Sequence, residues 1–142
     1  MLDCIETDCT VFYSAGGTLT RTQKLKELSI EPYAQKHLHP CIYATRKNCG
    51  SCGKCIRTMT ALYAIGTLSQ FRDSFDVDRF YREKDNYIAH VIAGKQNRHC
   101  SEALYEMEKN GITISDRARQ KAKILKAAVT ASKKMNDTQK EY

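Results

Sequence analysis

Seven cysteines punctuate the chain, at positions 4, 9, 41, 49, 52, 55 and 100. Four of them fall within fifteen residues, as Cys41-x7-Cys49-Gly-Ser-Cys52-Gly-Lys-Cys55. Cys-x-x-Cys lets two thiolates converge on one ion when the backbone turns tightly, and four thiolates make a closed tetrahedral site. Cys41, Cys49, Cys52 and Cys55 are therefore the candidate metal ligands, with zinc as the expected ion. An iron–sulfur cluster fits the spacing less well. The ferredoxin run continues forward to a further cysteine, whereas Ile56-Arg57-Thr58-Met59 follow here and the fourth cysteine lies upstream. Gly50 and Gly53 each follow a cysteine, where a tight turn calls for positive φ. Lys47, Lys54 and Arg57 carry charge that offsets four sulfurs. His37 and His39, in His-Leu-His-Pro-Cys, are alternative ligands to Cys41, although they read first as loop and helix-end residues. Cys4, Cys9 and Cys100 have no telling spacing; a thiol role for Cys100 beside His99 is the remaining cysteine chemistry to consider.

The elements that must hold this loop are mostly helical. Thr20 caps a helix to about Ser29, with Leu25 and Leu28 facing inward. Pro32 starts a short helical turn. A helix from about Cys55 carries Ile56, Met59, Leu62 and Tyr63 and stops at Gly66. A shorter turn, Leu68 to Phe71, follows. Asp76 caps the next helix, with Phe75 and Phe80 in the positions of a hydrophobic staple. Its apolar residues run on through Tyr87, Val91 and Ile92 at helical period, which predicts one helix ending at Gly94. Residues 101–110 make another helix, stopped by Gly111. The last begins at Ser115 with the stripe Ala118, Ala122, Leu125 and Val129, and frays from about Met135. Residues 9–14 are β-branched and aromatic and read as a single strand, unpartnered in this chain. The fold class is thus mainly α: a small helical domain with one orphan N-terminal strand and a Cys4 metal loop. The expected divisions are a residual strand and turn over 1–19, a zinc-stabilised helical domain over 20–111, and a basic helix with a frayed tail over 112–142.

The chain has 142 residues and a formal charge of +7, with 42% hydrophobic and 27% charged residues. That usage is too apolar for a fully disordered chain, and the length suits one modest core. No run approaches a membrane span. The opening Met1-Leu2-Asp3-Cys4-Ile5-Glu6 lacks a basic and then apolar leader, so the expectation is a cytoplasmic protein. Between Gly111 and Met135 there are seven cations, Arg117, Arg119, Lys121, Lys123, Lys126, Lys133 and Lys134, against the single acid Asp116. Nearly all the excess charge belongs to the last helix. Lys121, Lys123 and Lys126 are the candidate nucleic-acid contacts, driven by phosphate and sensitive to salt. No aromatic residue accompanies them for base stacking, and an alanine-rich stripe does not favour a membrane surface.

The run Asn48-Cys49-Gly50-Ser51-Cys52-Gly53-Lys54-Cys55-Ile56-Arg57-Thr58-Met59, then Ala61-Leu62 and Gly66, resembles the stretch near the C-terminus of proteins that carry a PP-loop ATP-pyrophosphatase (adenine nucleotide α-hydrolase) domain. Gly17-Thr18-Leu19-Thr20-Arg21-Thr22-Gln23-Lys24 resembles the segment before the cysteines in the same proteins. Cys41, Cys49, Cys52 and Cys55 also match the structural zinc quartet of the more distant 7-cyano-7-deazaguanine synthase family. The resemblance covers roughly residues 10 to 95. It implies a zinc-binding module whose Arg21 and Lys24 face the nucleotide half of the protein; Arg21, Lys24 and Arg57 are the candidate contacts to an acidic ligand. The family's phosphate loop, Ser-Gly-Gly-x-Asp-Ser after a strand, does not occur here; Ser14-Ala15-Gly16-Gly17-Thr18-Leu19-Thr20 is a superficial match without the acid. The resemblance therefore implies a partner: an ATP-binding domain or subunit, or a second copy joined through the strand. No Ser/His/Asp or Cys/His catalytic arrangement is visible. The main expectation is a structural zinc-binding helical domain, not catalytic alone. The alternatives are a nucleic-acid-binding zinc module and a small ATP-using enzyme built on the Gly16-Gly17 turn.

Overall fold

Two short strands precede a run of helices in the computed structural model, which describes residues 4–7, 10–13, 17–44 and 47–138. The strands are β1 (Cys4–Thr7) and β2 (Thr10–Tyr13). The helices are α1 (Arg21–Ser29), α2 (Pro32–His37), α3 (Gly53–Ala64), α4 (Val77–Arg82), α5 (Lys84–Ala93), α6 (Arg98–Lys109) and α7 (Asp116–Thr138), with a 3-10 turn over Leu68–Phe71. The protein is mainly α, as its periodicity predicts. The strand read at 9–14 is present as β2, but it is not unpartnered. It pairs antiparallel with β1, Cys4 opposite Tyr13 and Thr7 opposite Thr10. Only two residues separate the strands, a spacing that returns the chain antiparallel beside itself.

The core is built around α3. Cys55, Met59, Leu62 and Ala64 of this helix are fully buried, and α1, α5, α6 and the 3-10 turn all pack against it. Cys52 caps it and Cys55 lies in its first turn, so this buried helix grows directly out of the cysteine loop. Phe75 and Phe80 are both buried about the Asp76 cap, whose carboxylate accepts the Arg79 N–H at 2.8 Å. Phe80 packs its ring 4.8 Å from Tyr87 and 5.3 Å from Tyr63.

Most ends fall where capping residues put them. Thr20 accepts from the Gln23 N–H while the Gln23 side chain accepts from the Thr20 N–H, closing a capping box at α1. Gly66 and Gly111 take φ of +78° and +68°. Behind them the N–H groups of Thr67 and Ile112 reach the carbonyls of Leu62 and Met107, which is the Schellman geometry. The Asn110 side chain then donates to the last carbonyl of α3, Ala64, at 2.8 Å. Gly94 ends α5 without positive φ. A Cβ there would lie 3.1 Å from Cys100 Sγ and 3.3 Å from the His90 carbonyl, so its use is space for α6.

Several expectations need correction. The single helix over 77–92 is two, because the chain breaks at Glu83, where φ is −108° and ψ +18°. Residues on either side keep the apolar period, so the stripe runs through the break unaltered. Leu28 is 37% exposed and Val129 56%. For Val129 the reason is length: α7 outruns α5, the helix it packs on, by roughly 20 Å at about 1.5 Å per residue. Only Ala118 and Ala122 of its stripe are fully buried, and Leu125 is half-buried. The helix also continues to Thr138 rather than fraying at Met135; 139–142 lie outside the described residues.

Candidate metal centre

The four cysteine sulfurs of Cys41, Cys49, Cys52 and Cys55 lie within 4.8 Å of one another. Cys49 Sγ and Cys55 Sγ are 3.9 Å apart. A tetrahedron of sulfurs at about 2.3 Å from zinc has edges of about 3.8 Å, so the group has the size of a single-ion site. The backbone makes this shape locally. Gly50 takes φ of +69°, which turns the chain so that the Cys52 N–H donates to Cys49 Sγ at 3.4 Å. Cys52 is then the N-cap of α3 and accepts from the Cys55 N–H, also at 3.4 Å. Two sulfurs therefore sit on the positive end of a helix dipole, where negative charge is favoured.

Gly50 and Gly53 differ in what they do. Gly53 lies in α3, at ordinary φ, with nothing within 4 Å of a Cβ added there. The expectation of positive φ after both cysteines holds for Gly50 alone. Gly50→Ala is expected to cost roughly 1–2 kcal/mol, the penalty for a left-handed residue with a side chain. Space is not the cause, since its nearest neighbour would be Tyr87 Oη at 3.5 Å. Gly53→Ala is expected to be neutral or slightly stabilising. Denaturant midpoints of the two metal-loaded variants check the contrast.

The fourth cysteine, Cys41, is brought in by a residue that spacing did not single out. Asn48 is buried; its Oδ1 accepts the Cys41 N–H at 3.2 Å, and its Nδ2 donates to the carbonyls of Leu38 and Ser74, both at 2.8 Å. One side chain thereby ties together the segment before Cys41, the cysteine loop and the turn before α4. No local pattern announces it, because Ser74 is 26 residues away.

The thiols are not equivalent. The backbone N–H groups of Cys52 and Ser51 pull the Cys49 thiol down to about 6. The Cys49 backbone N–H likewise lowers Cys41. Burial, with neighbouring thiols, pushes Cys55 up. A cation bound here would have to displace the Cys55 proton, whereas the Cys49 thiol is lowered toward the thiolate.

The other candidate residues are spread over the structure. His37 and His39 are exposed, and His37 lies against the Tyr33 ring at 4.4 Å; the cluster is made by sulfurs. Lys47 and Lys54 are exposed. Arg57 is half-buried beside Arg21, whereas Lys24 is exposed on α1. Lys121 donates to Asn86, while Lys123 and Lys126 stand exposed on α7. Cys100 is buried, and burial raises its thiol, which makes it a packing residue rather than a nucleophile. Cys9 and residues 14–16 of the glycine turn lie outside the described residues. A cavity of about 370 Å³ opens beside Gly50 and Ser51, between the metal loop and α7. No helix among the described residues is long and apolar enough to cross a membrane.

No family model, curated protein or solved structure matches the chain.

Proposed function

We propose that the quartet holds a structural zinc ion and that the chain works as a zinc-clamped helical module. The supporting observation is the closeness of the four sulfurs, within 4.8 Å. In an iron–sulfur cluster the four cysteines are divided among two or four irons and do not all converge on one point. With four thiolates, zinc has no open position for water, so the centre holds structure and does not activate a nucleophile. Elemental analysis of protein purified without added metal is expected to give one zinc per chain, with all-sulfur coordination by X-ray absorption. A stoichiometric iron signal would overturn the assignment.

The module's role follows the motif resemblance: a support beside an ATP-binding domain or subunit of the PP-loop type, in the cytoplasm, without ATP-dependent catalysis of its own. The quoted run Asn48 to Met59 carries that reading. A PP-loop protein recovered with the tagged full-length chain supports it, and a module that stays free in the presence of such a partner speaks against it.

A second reading rests on α7. Arg117, Arg119, Lys123 and Lys126 are all exposed on it. Nucleic-acid binding through this face is expected to appear at about 50 mM salt, to weaken steeply with added salt, and to fall when Lys123 and Lys126 are changed to Gln. An unchanged mobility of RNA and DNA at low salt rules it out.

A further inference from the structure

Away from the sulfurs, three helices bring together two arginines and a histidine that each bury a nitrogen without a partner. Arg21 is the first residue of α1, Arg57 lies in α3, and His99 is the second residue of α6. Arg21 donates through Nη2 to Thr58 Oγ1 at 2.9 Å, but its Nε is buried without a partner. The Arg57 side chain makes no hydrogen bond or ion pair among the described residues, and its Nε is buried and unpartnered too. His99 Nδ1 is the third such atom. The groups feel one another. Burial and Arg57 lower Arg21, and burial with Arg21, Arg57 and Arg98 lowers His99 against the opposing pull of Glu102.

Glu102 is the acid at this place, and it is already engaged. Its Oε1 accepts from Arg98 Nε at 3.0 Å, and its Oε2 faces the Thr22 N–H and hydroxyl at 3.4 Å. Three arginines thus share one carboxylate. Buried donors without acceptors and half-buried like charges side by side are both costly. Such atoms in a folded protein call for an acceptor. Two helix N-termini, those of α1 and α6, add positive potential at the same place.

We propose that Arg21, Arg57 and His99 form a binding site for a compact oxyanion of the phosphate class, held between α1, α3 and α6. The two guanidinium groups supply planar forks of donors that suit tetrahedral oxygens. His99 supplies a third donor when the anion holds its proton on. Lys24, exposed on the outer part of α1, takes no part. The same chemistry serves free phosphate or the phosphate of a small phosphomonoester. This site is independent of which metal the cysteines hold.

The test uses the metal-loaded full chain at constant ionic strength. Inorganic phosphate, pyrophosphate and adenosine monophosphate are titrated against chloride, with melting temperature and the NMR signals of the His99 ring as readouts. The expected result is saturable stabilisation, together with an upward move of the His99 titration midpoint. Tighter binding of the nucleotide assigns a phosphomonoester, and equal or tighter binding of phosphate assigns the free ion. Arg57→Gln removes a charge that has no partner in the fold. It is expected to leave or raise the melting temperature of the ligand-free protein and to weaken phosphate binding about tenfold or more. Lys24→Gln is expected to change neither. The proposal is overturned if none of the three anions moves the His99 signals or the melting temperature beyond chloride. It is equally overturned if Arg57→Gln binds phosphate as the parent does.

Discussion

Stripping the metal is expected to unfold this protein. A four-thiolate zinc site contributes on the order of 10 kcal/mol or more at neutral pH, while a domain of this size has a net stability of about 5–15 kcal/mol. The two quantities are comparable, so little remains once the ion is gone. The geometry says where the loss begins. Cys52 caps α3 and Cys55 sits in its first turn, fully buried. Without the ion, neighbouring sulfurs at 3.9 Å either share protons or repel as thiolates, and the helix against which α1, α5 and α6 pack loses its anchored end. Chelation, verified by metal analysis, is expected to collapse the far-UV circular dichroism of the helices and to abolish a cooperative melt. Cys55→Ser is expected to do the same. Because the Cys55 thiol is raised above its ordinary range by burial, it is protonated at neutral pH before the ion binds. Metal uptake therefore releases at least that proton and weakens as pH falls. Unchanged helix signal and melting temperature after complete metal removal would sink the structural role.

Asn48→Ala is the single substitution away from the ligands with the next largest expected effect. It deprives the Cys41 N–H and the Leu38 and Ser74 carbonyls of their partner at once. Buried polar groups left unpaired cost about 1–3 kcal/mol each. Water reaches some of them after truncation, so a loss of about 3 kcal/mol is expected in the unfolding free energy of the metal-loaded protein. Metal loss to a chelator is expected to quicken as well, since Cys41 is no longer held. Asn48→Asp separates two contributions. It keeps an acceptor for the Cys41 N–H, but it loses both donations and brings a negative charge to a position 3.9 Å from Cys55 Sγ. It is expected to be at least as damaging. Denaturant midpoints and chelator kinetics read both variants. A change within about 0.5 kcal/mol, the range of an ordinary surface substitution, would show that Asn48 does not brace the loop.

What could be read from the sequence divides along a physical line. The quartet was legible because Cys49, Cys52 and Cys55 are joined by tight turns, so spacing nearly implies proximity. The Thr20 and Asp76 caps and the Gly66 and Gly111 stops were legible for the same reason: their partners lie within a few residues. Asn48 was not, because its value comes from Leu38 and Ser74, which only the fold brings near. Arg21 and Arg57 entered through resemblance, but their meeting with His99 depends on three helices and leaves no local trace. The break at Glu83 was hidden because the apolar period continues across it. Periodicity also reports which face is apolar and not how long the covering helix is; hence Val129 reads as core and stands exposed.

The position of the cysteines also bears on how the chain reaches its fold. All four lie within fifteen residues, so an ion closes only short loops, at little entropic cost. Starting a helix is the unfavourable step, because the first turn fixes several residues for one hydrogen bond. An ion held by the quartet would fix that turn, since Cys52 and Cys55 lie at the start of α3 and need no distant contact to meet. Once begun, α3 elongates cheaply and presents Met59 and Leu62 as a surface on which the other helices collect. With an ion bound, the cysteine loop would serve as a local folding nucleus for a helix on which α1, α5 and α6 pack, and the spacing of the four cysteines would set where assembly begins.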